Sequence, residues 1–113
     1  MARASVAVPK LREAAPVFAA LGDETRLFIV ARLSTGGPQP IVRLAEGSDV
    51  SRQAITKHLH ALADAGLVRS TREGRERIWE IQTKRLAEAG RYLDAISRQW
   101  DGAIERLRGL VED

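Results

Sequence analysis

The chain has 113 residues, 44% of them apolar, a formal charge of +3 and no cysteine. That length makes one small domain, whose core alone is marginal, so pairing with a second copy is an expected remedy. Without cysteine there is no disulfide framework, thiolate metal site or cysteine nucleophile.

No run approaches the roughly 20 apolar residues of a membrane span. The N-terminal stretch MARASVAVPKLREAAPVF has no apolar core of secretion-signal length, and Pro9 and Pro16 interrupt it. A cytoplasmic location with no membrane partner is therefore expected. The sequence pI is ≈ 9.9. Most of the cationic charge is arginine, which stays charged at any physiological pH. Such a balance suits a polyanionic partner without singling one out.

Residues 1–12 read as a flexible N-terminal arm. A short helix is expected from Ala14 to Leu21, with Pro16 in its first turn, and Gly22 breaks it. Asp23 is placed to cap a second helix, TRLFIVARL, in which Leu27, Val30 and Ala31 form an apolar face beside Leu33. Asp23, Thr25 and Arg26 read as capping and a local ion pair. The stretch STGGPQP, from Ser34 to Pro40, is a turn. A short third helix, IVRLAEG, ends near Gly47, and the turn Ser48–Asp49–Val50 follows.

The next stretch, SRQAITKHLHALADAGL from Ser51 to Leu67, carries the most information. On a helical wheel Ile55, Leu59 and Leu62 share one face, while Arg52, Gln53, Thr56, Lys57 and His60 share the other. Ser51 is placed to cap its start, and Gly66 supplies the stop. Two helices joined by a three- or four-residue turn make a helix-turn-helix. Gln53 suits a bidentate contact with adenine and Arg52 one with guanine, while Ser51 and Thr56 suit phosphates. On an isolated amphipathic helix the same face would simply be solvated. His58 and His60 project about 200° apart, so they cannot chelate one ion together. His58 is expected at the edge of the core and His60 outward.

After Gly66 the pattern becomes two strands, LVRST and RIWEI, with Glu73–Gly74 as the hairpin tip. The ribbon carries Arg69, Arg72, Arg75 and Arg77. A basic hairpin directly after a reading helix is a wing, and Arg75 and Arg77 are expected to meet phosphates or a minor groove. Strand alternation turns one of each neighbouring pair away, which leaves Arg69 and Arg72 unassigned.

From Thr83 onward the chain reads as one long helix. Leu86, Leu93, Trp100 and Leu107 repeat every seven residues, with Ala89, Ile96, Ala103 and Leu110 three residues on. Heptads of this kind describe a seam for another helix. Gly90 and Gly102 weaken the helix by roughly 1 kcal/mol each relative to alanine. Tyr92 and Trp100 read as packing along that seam rather than as a ligand pocket. No nucleophile motif or glycine-rich phosphate loop is present, and the carboxylates are scattered, so neither catalysis nor a cofactor is expected.

The strings ALGDETRLFIVARL, SRQAITKHLHALADAGLV and REGRERIWEI, in this order, resemble the ArsR/SmtB-type winged-helix transcriptional repressors of bacteria. With the last helix the resemblance covers about residues 14–111. It implies a homodimer joined through the first and last helices, with two reading helices entering successive major grooves of a palindromic operator. Some family members sense metals through cysteines in the third helix. Here that segment is PQPIVRLAEG, with Pro40 and Val42 near where thiols would lie. Others use Asp and His on the last helix, which here has no His. The chain therefore resembles the metal-independent branch, and no metal ligand is expected.

The expected fold is mainly α with a small β-hairpin, a winged helix-turn-helix that dimerises through its N- and C-terminal helices. The winged domain spans residues 13–82 and the dimerisation helix residues 83–113. The expected function is a sequence-specific regulator of transcription, a homodimeric repressor on a double-stranded operator, with any small-molecule inducer unknown. The alternative is a metal- or ligand-gated sensor with its switch in the dimer interface. The DNA-binding residues would be Ser51, Arg52, Gln53, Thr56, Lys57, His60, Arg75 and Arg77. The interface would use Val17, Phe18, Leu21, Leu86, Leu93, Ile96, Trp100, Ala103, Leu107 and Leu110.

Overall fold

A computed structural model describes residues 8–112. The first helix, α1, spans Val8–Leu21 and begins well before Ala14. Residues 8–12 of the expected arm are thus helical, and the rest of that arm lies outside the described residues. Pro16 sits inside the helix rather than in its first turn. It removes one backbone donor there, while Pro9 occupies the first turn, where a proline is tolerated. Ala14, Val17 and Ala20 are buried along one stripe.

Helix α2 spans Glu24–Gly36, and the Asp23 carboxylate accepts the Arg26 backbone N–H at 3.1 Å, as a helix cap does. Its buried residues are Ile29 and Leu33, not the expected Leu27–Val30–Ala31 face. Leu27 is 52% exposed, Ala31 is exposed and Val30 half-buried. The run LFIV is apolar on every side, so tertiary contacts with the helix of residues 52–64 and with the hairpin choose the face. Gly37 ends the helix at φ 74°, its N–H donating to the Leu33 carbonyl at 3.0 Å.

The expected turn after α2 contributes a strand, β1, of two residues, Gln39–Pro40. The short α3, Ile41–Ala45, follows, then α4, Arg52–Asp64. Strands β2, Val68–Glu73, and β3, Glu76–Ile81, form the hairpin, and α5 runs from Thr83 to Glu112. The sheet therefore has three antiparallel strands in the order β1-β3-β2, rather than a two-stranded hairpin alone. Gln39 pairs with Trp79 and Pro40 with Ile78, a proline on an edge strand, where no ladder donor is needed.

The hairpin tip is Gly74–Arg75, one residue later than expected, with Glu73 opposite Glu76. Gly74 takes φ 63°, and among the described residues none other than glycine has a positive φ. Glycine at the first central position is the requirement of a II′ turn.

The core gathers Ile29, Leu44, Ile55, Leu59 and Leu62, all at 0% exposure, with Val17, Leu67, Val68 and Trp79 around them. The start of α5 closes this core through Leu86 and Ala89. Phe18 of α1 meets Tyr92 of α5 with ring centroids 6.1 Å apart. Beyond Tyr92 the helix runs on over an apolar but exposed stripe, and the protomer measures 67 × 29 × 20 Å.

Candidate nucleic-acid interface

Helix α4 is fixed at its start and along one side. The Ser51 hydroxyl accepts the Ala54 N–H at 3.1 Å, and Ser48 Oγ accepts the Val50 N–H at 3.0 Å in the preceding turn. Ile55, Leu59 and Leu62 anchor the inner stripe. Arg52, Gln53, Lys57 and His60 are exposed on the opposite stripe, and Thr56 is half-buried. Thr56 Oγ1 donates to the Arg52 carbonyl at 2.9 Å. Its proton is therefore engaged, so as placed it offers lone pairs to a base amino group rather than a donor to a phosphate.

The orientation of α4 is tied to α2 by Arg26. Arg26 Nε donates to His58 Nδ1 at 3.1 Å and Nη1 to the Ala20 carbonyl at 3.4 Å. This corrects the expected Asp23–Arg26 ion pair: Asp23 holds the Arg26 backbone, while the guanidinium joins two helices. The Arg26 N–H also holds the Asp23 carboxyl below its ordinary value.

A second clamp sets α3. Arg32 Nη1 donates to the carbonyls of Arg43 and Glu46 at 3.2 and 3.0 Å, and its guanidinium lies 5.3 Å from the Phe28 ring centre. It thereby adds a second bond to the Arg43 carbonyl, which already accepts the Glu46 N–H at 3.3 Å, and supplies a donor to the Glu46 carbonyl at the end of the helix.

The wing meets α4 through aromatic contact. The His60 ring lies 6.0 Å from the Trp79 ring, tilted by 49°. Between them opens a groove of ≈ 320 Å³ whose walls include Thr56, His60, Arg75 and Arg77, over Val42 and Trp79. Arg77 Nη1 donates to Ser70 Oγ at 2.8 Å. Arg69 instead pairs with Glu80 across the ribbon at 2.7 Å.

The structure thus brings four of the expected DNA-binding residues, Thr56, His60, Arg75 and Arg77, around one groove. Arg52, Gln53 and Lys57 lie on the adjoining open face of α4, with Ser51 at its start. Trp79, which supports His60, and Ser70, which holds Arg77, were not anticipated. Strand alternation was the available signal: Ser70, Arg77 and Trp79 share one face of the ribbon.

The expected interface residues divide. Val17 is 1% exposed inside the protomer core, which removes it from any surface that the protomer offers. Phe18, Leu21, Leu86 and Ala103 are half-buried. Leu93, Ile96, Trp100, Leu107 and Leu110 are 41–77% exposed. Among the described residues, no group of three His, Cys, Asp or Glu could hold a metal ion. No helix among them is long and apolar enough to cross a membrane.

A helix-turn-helix domain family matches residues 21–71. The chain is 46% identical to the uncharacterized HTH-type transcriptional regulator YuzN of Bacillus subtilis, over 55% of this chain and 74% of that protein. An ArsR-like transcriptional regulator from Rhodococcus superposes with a TM-score of 0.76 at 40% identity, covering 91% of this chain and 96% of that one. A homodimeric winged helix-turn-helix DNA-binding domain from Mycobacterium bovis, a possible ArsR-family regulator, superposes with a TM-score of 0.60 at 25% identity, covering 85% of each chain. The order of elements, the capped and anchored α4, the wing that follows it and these likenesses agree: the chain belongs to the ArsR-type winged helix-turn-helix transcriptional regulators.

Proposed function

We propose that this chain is a homodimeric repressor that occludes a promoter by binding a palindromic operator. The observation that carries the reading is the two-sided α4. Three side chains at 0% exposure lock its inner stripe, and a row of exposed polar side chains faces away beside a basic wing. Arg52 and Gln53 would read base edges in the major groove. Ser51, Thr56, Lys57, His60, Arg75 and Arg77 would meet bases or the adjoining backbone, with the hydroxyl hydrogen of Ser51 free to donate while its oxygen caps the helix. Residues 13–82 would form the reading head and residues 83–113 the dimerisation helix.

The exposed stripe from Leu93 to Leu110 supports a two-fold pair, as does the homodimeric relative from Mycobacterium bovis. Two copies would bury these apolar groups against one another and set the spacing of the reading heads at one turn of DNA, about 10 base pairs, or a multiple. In a cell such a dimer would act where the chromosome is, in the cytoplasm.

The test uses duplexes selected from random DNA by the full chain. Gln53→Ala combined with Lys57→Ala should reduce affinity for them by at least tenfold, given about 1–3 kcal/mol for one good base contact, while the dimer stays intact. Unchanged affinity would refute the assignment. Binding by the unaltered chain should also fall steeply with salt, because each phosphate contact releases counterions.

A further inference from the structure

The outer half of the wing contains two rungs of like charge. Arg72 stands directly opposite Arg77, and Glu73 directly opposite Glu76. Like charges facing each other across an antiparallel pair destabilise it. The inner half does the reverse, since Arg69 faces Glu80 and pairs with it at 2.7 Å. Arg72, Glu73 and Glu76 are exposed, and among the described residues no side-chain hydrogen bond or ion pair involves them.

The two rungs also lie on opposite faces. Alternation places Arg72 and Arg77 with Ser70 and Trp79, on the face from which Trp79 reaches the His60 ring. Glu73 and Glu76 share the other face with Thr71, Ile78 and the Arg69–Glu80 pair. One face of the ribbon is thus cationic toward the reading helix, and the other carries two unpaired carboxylates at the tip. Ser70 already restrains one of the two arginines, through the 2.8 Å bond to Arg77.

We propose that Arg72 and Arg77 together grip one backbone phosphate, and that the Glu73–Glu76 rung keeps the opposite face of the wing off the duplex. A phosphate between the two guanidiniums would relieve their repulsion and satisfy two forks of donors at once. The carboxylate rung would repel the backbone in any other orientation, which is how a repulsive element adds specificity. The wing is therefore less stable alone than on DNA, and its charge pattern selects the docked face. The proposal rests on the DNA-binding reading above and adds Arg72, Glu73 and Glu76 to it.

The experiment compares the unaltered chain with Arg72→Gln, Arg72→Lys and the pair Glu73→Gln plus Glu76→Gln. Each is titrated with a duplex selected by the unaltered chain and with a scrambled duplex of equal length, over a range of salt. Arg72→Gln should weaken binding to the selected duplex about tenfold, reduce the salt slope by about one unit and raise the thermal midpoint of the free protein. Arg72→Lys should keep most of the salt slope and lose part of the affinity, because a point charge replaces a fork. The glutamine pair should tighten binding to the scrambled duplex several-fold while changing the selected duplex less. Unchanged affinity and slope for Arg72→Gln, or a lowered thermal midpoint, would overturn the clamp while leaving the DNA reading intact. Failure of the unaltered chain to bind any duplex would overturn the reading beneath it.

Discussion

The apolar stripes of α4 and α5 differ: the protomer covers the first and leaves most of the second open. On α4, Ile55, Leu59 and Leu62 are sealed at 0% exposure against α2, α3 and the sheet. On α5, Leu93, Ile96, Trp100, Leu107 and Leu110 keep the same helical spacing but stay 41–77% exposed. Periodicity fixes which side of a helix is apolar, whereas topology decides whether the chain itself supplies the cover. The α4 stripe therefore serves folding, and on the reading proposed above the α5 stripe would serve association. An apolar surface of that length on a small monomer marks an interaction site.

The comparison predicts opposite consequences for equal damage. Leu59→Ala should cost about 2–5 kcal/mol of folding stability, the range for a large-to-small change in a packed core, as a shift in the urea midpoint. It should abolish DNA binding only by unfolding the reading head. Trp100→Glu should leave the reading head folded but convert the dimer to a monomer in sedimentation. It should lower operator affinity by about a hundredfold or more, since the second half-site is then no longer linked to the first. A dimer that survives Trp100→Glu together with Leu107→Glu would remove the distinction between the two stripes.

Smaller changes sharpen the picture at the ends of the covered helices. Ser51→Ala removes the cap on Ala54 and should cost about 1 kcal/mol, measured by thermal unfolding, with a loss of operator affinity beyond that of a surface alanine. Asp23→Asn concerns acid behaviour. The Asp23 carboxyl is held below its ordinary value by the Arg26 N–H, so its contribution is present above the unfolded value and is lost as pH falls through the folded one. Asparagine keeps an acceptor but cannot titrate. Its urea midpoint should change little at neutral pH and decline less than that of the unaltered chain on acidification through the carboxylate range.

The legible parts of the fold were those set by local rules. The Ser51 cap, the Ile55–Leu59–Leu62 stripe and the long α5 each follow from neighbours within one or two turns. The exposed face of α2 did not, because LFIV is apolar all round and only the packing of α4 and β3 selects Ile29. Strand β1 was hidden for a similar reason: Gln39 and Pro40 become a strand by pairing with Trp79 and Ile78, far along the chain. The hairpin tip slipped by one residue, since both Glu73–Gly74 and Gly74–Arg75 offer a glycine. Register then requires Trp79 to face inward. At the site, the residues of α4 were readable from the wheel. The support of His60 by Trp79, and of Arg77 by Ser70, depends on that register and was not.

The most direct test of the central claim is selection of bound fragments from random duplex DNA by the full chain. The account predicts two inverted half-sites centred about 10 base pairs apart, or a multiple of that spacing. Recovery of no preferred sequence, or of a single unrepeated site, would contradict a pair of reading helices held at fixed distance by α5.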